Sequence, residues 1–270
     1  MSRSSRPLFA SATAAEIPRL AWWLPLLLLG MSAPLWLHWF EPASFVWINT
    51  LCAPVAAQVW TGLSILGNGW GLLALTSPLL VLAPRLMLAW LCAAPFAIAF
   101  ARGGKFLIVS PRPAAVVDNA QMRIIGETLH NVSMPSGHTL TAFAVASGIY
   151  FAIPQQQRAS YWWLWLLAAG AGLSRIAVGA HWPGDVAVGA SLGMLAGMLG
   201  NLLLARVGPA ALAPSSWGMR GVAALLVLAI YHLLTEEMDF PENLPFQYVL
   251  AGVTFLSLLA FARQNLWKKW

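Results

Sequence analysis

The chain has 270 residues, of which 59% are hydrophobic and only 9% charged, with a net charge of +6. A soluble domain carries about 25% charged residues, so this composition leaves too little polar surface to cover a globule and excludes a soluble fold. The basic residues are scattered singly between apolar runs, with no basic stripe and no aromatic-basic platform, which excludes nucleic acid as a partner.

At the start, Arg3 and Arg6 precede a polar, Ala-rich stretch, and residues 1–19 read as a cytoplasmic N-terminal segment. The apolar run that follows is long and Trp-rich and lacks a small-x-small cleavage site, so it reads as a retained first span rather than a signal peptide. A helix needs about 20 apolar residues to cross a bilayer. On that measure spans are predicted at 20–38, 58–83, 86–103, 138–154, 160–178, 183–206, 219–234 and 246–262. The second is too long for one upright helix and is broken by Gly67-Asn68-Gly69. A short interfacial helix leading into one span is preferred there; two short crossings would move the N-terminus to the other side. Cys52 and Cys92 sit inside apolar runs and read as small buried hydrophobes, not as a disulfide or metal pair.

Charge orients the eight spans. Arg3, Arg6, Arg19, Arg85, Arg158, Arg206, Arg220, Arg263, Lys268 and Lys269 share one side; Arg102, Lys105, Arg112, Arg123 and Arg175 share the other. The richer side is cytoplasmic by the positive-inside rule, which puts both termini in the cytoplasm. Three polar clusters then fall together on the outer face.

In the first cluster, Lys105 and Arg112 lie seven apart, and Pro111 and Pro113 stiffen the backbone around the guanidinium. A fixed guanidinium grips phosphate through planar paired hydrogen bonds, and lysine adds a point charge; two residues snorkelling at the interface is the plainer alternative. The second is Pro135-Ser136-Gly137-His138. Ser136 is a good N-cap for the following helix, and the free N–H groups of that turn point outward with the helix dipole behind them, an anion site built from backbone. The third joins two spans: Ser174-Arg175, then His181 and Asp185 four apart, with Pro183 as a first helical residue. A carboxylate on one ring nitrogen of His181 fixes its tautomer and frees the other as a nucleophile or base. Gly189, Gly193 and Gly197 continue the four-residue step, so this face turns onto another helix. Each cation at membrane depth costs about 2.5–3.5 kcal/mol. Three of them call for an anion, and a phosphate with about two negative charges fits.

Taken together, Lys105-FLIVSP-Arg112-Pro113, Pro135-Ser136-Gly137-His138 and Ser174-Arg175-IAVGA-His181-WPG-Asp185 resemble the type 2 phosphatidic acid phosphatase superfamily, also called lipid phosphate phosphatases. Every fixed position of that family's pattern matches, in order and at the right spacing. The resemblance implies an all-α integral membrane protein with a six-helix phosphatase core over residues 20–206. Residues 207–270 would add two more transmembrane helices. It implies His181 as nucleophile through a phosphohistidine, Asp185 orienting it, and His138 protonating the leaving oxygen. Lys105, Arg112, Arg175, Ser136 and Gly137 would hold the phosphoryl oxygens, with no metal and no cofactor.

The implied activity is hydrolysis of a membrane lipid phosphate or diphosphate at the outer leaflet of a bacterial inner membrane. Undecaprenyl diphosphate, phosphatidylglycerol phosphate, phosphatidic acid and a lipid A phosphate all fit. A phosphotransferase passing the group to another lipid headgroup is one alternative; a non-enzymatic lipid or phosphate transporter is another. Arg123, Glu127 and His130, in the loop between the first two clusters, are candidates for the substrate headgroup, with Arg123 and Glu127 placed to pair on a short helix. The acidic run Glu236-Glu237-Met238-Asp239 in the C-terminal extension reads as a solvated loop.

Overall fold

The computed structural model describes residues 17–38 and 41–266, and all regular structure among them is helical. Most of the predicted N-terminal segment, and Lys268 and Lys269, lie outside the described residues. The first predicted span is a 3-10 turn (Arg19–Trp23) followed by α1 (Leu24–Met31) and α2 (Ala33–Leu37). Pro34 cannot continue α1, because it lacks an N–H and its ring crowds the carbonyl four residues back. Ser32 closes the break by donating its hydroxyl to the Leu29 carbonyl at 3.1 Å. Helix α3 (Pro42–Cys52), which no span was assigned to, starts on a proline at its first position.

The second predicted span is three short helices rather than an interfacial helix and one crossing: α4 (Ala57–Ile65), α5 (Gly69–Leu75) and α6 (Leu79–Leu82). The first break falls at the expected Gly67-Asn68. There the Asn68 side chain accepts from the backbone of Trp70 and Gly71 at 3.0 and 3.2 Å and so starts a new helix. Pro78 makes the second break.

From here the predicted spans and the helices agree. They are α7 (Pro84–Leu91) running into α8 (Ala94–Leu107), α9 (Gly137–Ala152), α10 (Trp163–Ala177), α11 (Pro183–Leu204), α12 (Trp217–Thr235) and α13 (Leu244–Leu266). Among the described residues four stretches, Pro84–Leu107, Pro183–Leu204, Pro209–Thr235 and Pro241–Gln264, are long and apolar enough to cross a membrane; Arg19–Met31 and α10 are apolar but shorter. Arg158, counted with the inner charges, is buried: its guanidinium donates to the Ile153 and Phe151 carbonyls at 2.9 and 3.0 Å and closes the end of α9.

Helix α11 is central, packing on α1, α2, α7, α8, α9 and α10. Its glycine step forms the seam with α9: side chains at Gly189, Gly193 and Gly197 would strike Ser136 O, Leu140 O and the Ser147 side chain at 2.8, 2.3 and 2.4 Å. The C-terminal pair packs on α5 and α6. Buried Met219, Leu226 and Ala229 of α12 join the same apolar cluster as Leu80, Met87 and Leu204. Ser77 and Ser257 meet at 3.2 Å.

Gly193→Val should therefore force α9 and α11 apart, at a cost of roughly 1–3 kcal/mol or more. Thermal unfolding in detergent would register it as a lower Tm. Gly62→Ala, where a side chain meets nothing within 4 Å, should leave Tm unchanged or slightly higher.

Candidate active site

Four helix ends meet at one face of the bundle. Helices α8 and α10 finish there, carrying Lys105 and Arg175 in their last turns, and α9 and α11 start there at Ser136 and Trp182. This follows from sequence order: consecutive antiparallel helices place the end of one beside the start of the next. Gly104 brings α8 against the second cluster, since a side chain there would lie 2.6 Å from Pro135 Cδ.

Asp185 is fully buried. Its Oδ2 accepts from His181 Nδ1 at 3.1 Å, from the Trp182 backbone N–H at 3.0 Å and from the Ser133 hydroxyl. Its backbone carbonyl accepts from Ser136 N at 3.0 Å, which ties the third cluster to the second. With Nδ1–H committed to Asp185, His181 Nε2 carries the ring's lone pair. That nitrogen receives a hydrogen bond from Arg112 Nη1 at 3.0 Å. Arg112 is itself buried and held by the Ala180 carbonyl at 2.7 Å and by Asn131 Oδ1 at 2.9 Å. Burial pushes the His181 imidazole well below its usual pKa, and the charges of Arg112, Arg175 and Lys105 push the same way. The ring is therefore neutral, and its lone pair carries no proton but accepts the Arg112 hydrogen bond, which has to turn to substrate before attack.

Arg175 is buried and donates from Nη1 to the Ser64 hydroxyl of α4, while its Nε has no partner among the described residues. The Phe240 ring lies 5.8 Å from its guanidinium carbon. Lys105 is half-buried, and its charge acts on Arg112, Asp185 and Arg175. Ser136 caps α9 as expected: its Oγ accepts from Thr139 Oγ1 at 2.9 Å and from Thr139 N at 3.4 Å. The space over Gly137 is open, with nothing within 4 Å of a side chain built there.

His138 stands in the first turn of α9, close enough to His181 for their charges to act on each other. Gly67 fits it closely; a side chain there would meet His138 Cβ at 2.5 Å. The far side of the His138 ring holds the main surprise. Its Nε2 donates at 2.9 Å to Oδ2 of Asp239, from the loop between α12 and α13. Asn68 also donates to that oxygen, at 3.1 Å. Burial raises the Asp239 pKa, but the hydrogen bond and charge of His138, the Arg175 charge and the Asn68 hydrogen bond outweigh it and hold Asp239 below the usual carboxylate range. Glu236, Glu237 and Asp239 are all exposed, as a solvated loop implies, but the Asp239 carboxylate is engaged by His138 and Asn68.

The three loop candidates separate. Arg123 turns away from Glu127 and donates to the Ala53 and Val55 carbonyls at 2.8 Å, closing the end of α3. No helix forms at 123–127 to pair them, because Gly126 sits at φ +80° against Phe240. Glu127 lines a cavity of about 150 Å³ with Arg175, Asp239 and Phe240. His130 is exposed. A larger cavity of about 440 Å³ between α5, α9 and α10 is almost wholly apolar and touches none of the motif residues. Sequence reasoning missed Ser64, Asn131, Ser133 and Asp239. None sits at a motif spacing; Ser133 alone adjoins one. Among the described residues no group of three His, Cys, Asp or Glu side chains is placed to hold a metal ion.

A family model described as the PAP2 superfamily matches residues 83–208. The chain is 41% identical over 70 residues to a lipid A 1-phosphatase of Porphyromonas gingivalis. It is 38% identical over 88 residues to the bacitracin transport permease protein BcrC of Bacillus licheniformis. Those stretches take in 25% and 32% of this chain, but only 15% and 40% of the two relatives. Among solved structures, LpxE of Aquifex aeolicus is similar at a TM-score of 0.51 and 28% identity, over 58% of this chain and 91% of that one. The family match contains all three clusters, and they close on one buried histidine–carboxylate pair ringed by cations; residues 83–208 of the chain are those of a member of the type 2 phosphatidic acid phosphatase superfamily.

Proposed function

We propose that this protein is a membrane phosphatase that removes phosphate from a lipid phosphate or diphosphate at the outer leaflet of a bacterial inner membrane, through a phosphohistidine. The observation that carries the reading is His181 itself: Nδ1 bonded to buried Asp185 at 3.1 Å and Nε2 turned to the Arg112 guanidinium at 3.0 Å. A lone pair held beside a fixed cation meets a phosphorus atom whose oxygens that cation neutralises. Nε2 attacks phosphorus as the bond to the leaving oxygen breaks, and His138 gives that oxygen its proton. Water then attacks the phosphohistidine, with His138 taking a proton back, and phosphate leaves.

Arg112, Arg175 and Lys105 hold the equatorial oxygens, helped by the Ser136 hydroxyl and the Gly137 amide. The buried, unpartnered Nε of Arg175 is one donor available for this. Such fixed charges are where most of the acceleration of phosphoryl transfer arises. The chemistry needs no metal. The names of the two curated relatives point to a lipid A phosphate and to a transport function; the intact catalytic set favours an enzyme over a transporter. The gripping residues touch phosphate and not the lipid tail, so polyprenyl diphosphate, phosphatidylglycerol phosphate, phosphatidic acid and lipid A phosphate are all substrates to assay. Glu127 lines the cavity beside Arg175, and exposed His130 shares its loop; both are placed to meet a headgroup.

His181→Ala should lower kcat at least about a thousandfold on every substrate while the protein still purifies folded. Residual turnover near wild type would remove His181 as nucleophile. Release of free phosphate from a panel of these lipids, without an added acceptor, separates hydrolysis from transfer. That release should survive EDTA and stop with vanadate.

The pH profile gives a separate check. The attacking imidazole must be neutral, and its pKa in the folded protein lies below the ordinary value of about 6.5, so protonation removes activity only at lower pH. The acid limb of kcat/KM, corrected for ionisation of the substrate phosphate, should fall below pH 6.5; a limb at or above it contradicts the assignment. With both termini cytoplasmic, a C-terminal alkaline phosphatase fusion should be inactive and a fluorescent protein fusion bright. The reverse pattern would overturn the orientation.

A further inference from the structure

The C-terminal helices lie beyond the matched family region, residues 83–208, yet the loop between them enters the site. Asp239 accepts from His138 Nε2 at 2.9 Å and from Asn68 Nδ2 at 3.1 Å. The next residue, Phe240, stacks over Arg175 and packs against Gly126. Asp239 is the non-glycine residue with positive φ, +58°, among the described residues. A side chain there is disfavoured, and aspartate is one of the few residues that tolerates it. The turn adopts it while its carboxylate sits against the histidine.

We infer that Asp239 is a positioning residue for the reaction: the C-terminal extension supplies the carboxylate that orients the proton donor His138, as Asp185 orients the nucleophile His181. The inference rests on the proposed role of His138. The Nε2–H bond to Asp239 fixes the ring, and the transferable proton sits on Nδ1, which has no partner among the described residues. When the bond from phosphorus to the leaving oxygen breaks, that oxygen takes the Nδ1 proton and His138 becomes neutral. Asp239 remains ionised throughout and receives no proton. Its carboxylate, held below the usual range, offsets part of the positive charge of the imidazolium before transfer, against the Arg175 and Arg112 charges that oppose it.

The test uses the full-length protein in detergent with two substrates. Dioctanoyl phosphatidic acid has a poor alkoxide leaving group that needs a proton; p-nitrophenyl phosphate does not. Asp239→Ala should lower kcat on the lipid about 10–100-fold, part of the range general acid catalysis contributes, with KM within about twofold of wild type. The loss on the aryl ester should be several-fold smaller. In a His138→Ala background, Asp239→Ala should add nothing further, since it acts through that ring. Asp239→Asn keeps the shape of the side chain but not its charge, and carries the same comparison if the alanine variant fails to fold.

Equal loss on both esters, or additivity with His138→Ala, would overturn the inference. So would a rise in kcat/KM from a lower KM, which would mean that the carboxylate competes with phosphate for the cations. If His138→Ala itself strikes both esters alike, the failure belongs to His138 as proton donor and not to Asp239 alone.

Discussion

Asp185 carries its charge at a point where water does not reach, and the rest of the site is arranged around that fact. An ionised carboxylate taken out of water costs several kcal/mol even after relaxation, and hydrogen bonds must offset that cost; Oδ1 has no partner among the described residues, so Oδ2 carries them all. Oδ2 is filled three times, by an imidazole, a hydroxyl and a backbone N–H. Two donors are consecutive residues of the connection from α10 to α11, His181 and the N-cap residue Trp182, and the third, Ser133, comes from the loop before α9. Remove the carboxylate and all three lose their register. The Ser136 amide, bonded to the Asp185 carbonyl, ties the start of α9 to the same point.

The cations follow from the same economy of charge. Arg112 and Arg175 are both buried, and the two carboxylates Asp185 and Asp239, each bonded to a histidine, do not neutralise them together with Lys105. The backbone and neutral oxygens share the load: the Ala180 carbonyl and Asn131 for Arg112, the Ser64 hydroxyl for Arg175. These contacts hold the guanidiniums in place without cancelling their charge. The positive potential that remains is what a phosphoryl group would meet under the proposed function. Preorganised charge of this kind needs no reorganisation at the moment of reaction, which is the source of its effect on rate.

Much of this was legible in the sequence, for a physical reason. Residues that do chemistry in an apolar chain are expensive, so they stand out from it: Lys105, Arg112, His138, Arg175, His181 and Asp185 could be picked out by their cost alone. Antiparallel crossing then brings their helix ends together. The glycine step of α11 also showed, because close helix packing needs small residues at a four-residue period. Of the boundaries among the short helices α1 to α6, the one at Gly67-Asn68 showed and the others did not. Proline and asparagine set their breaks, while hydropathy reports only one long apolar run. Arg123 misled for a related reason. Its spacing from Glu127 suggests an ion pair only if the backbone is helical there, and Gly126 in the left-handed region prevents that. Its guanidinium goes instead to the open carbonyls at the end of α3. Asp239 was invisible because it is one of three acids in a short polar run, and nothing local distinguishes the one that turns inward.

The two histidine–carboxylate pairs differ in a way that matches the roles proposed for them. The His181 and Asp185 side chains are 3% and 0% exposed; those of His138 and Asp239 are 20% and 28% exposed. A nucleophile gains from being dry, since water bound to its lone pair must leave before attack, and a neutral ring survives best where charge is costly. A proton donor has the opposite need. It gives up a proton in one half of the cycle and must recover one from attacking water in the other, so it has to stand where water arrives. Asp239 suits that edge: it steadies a ring that solvent can still reach. The chain supplies it from outside the matched region, on helices that pack against α5 and α6 and so reach the rim of the site without disturbing the glycine seam on which the buried pair depends.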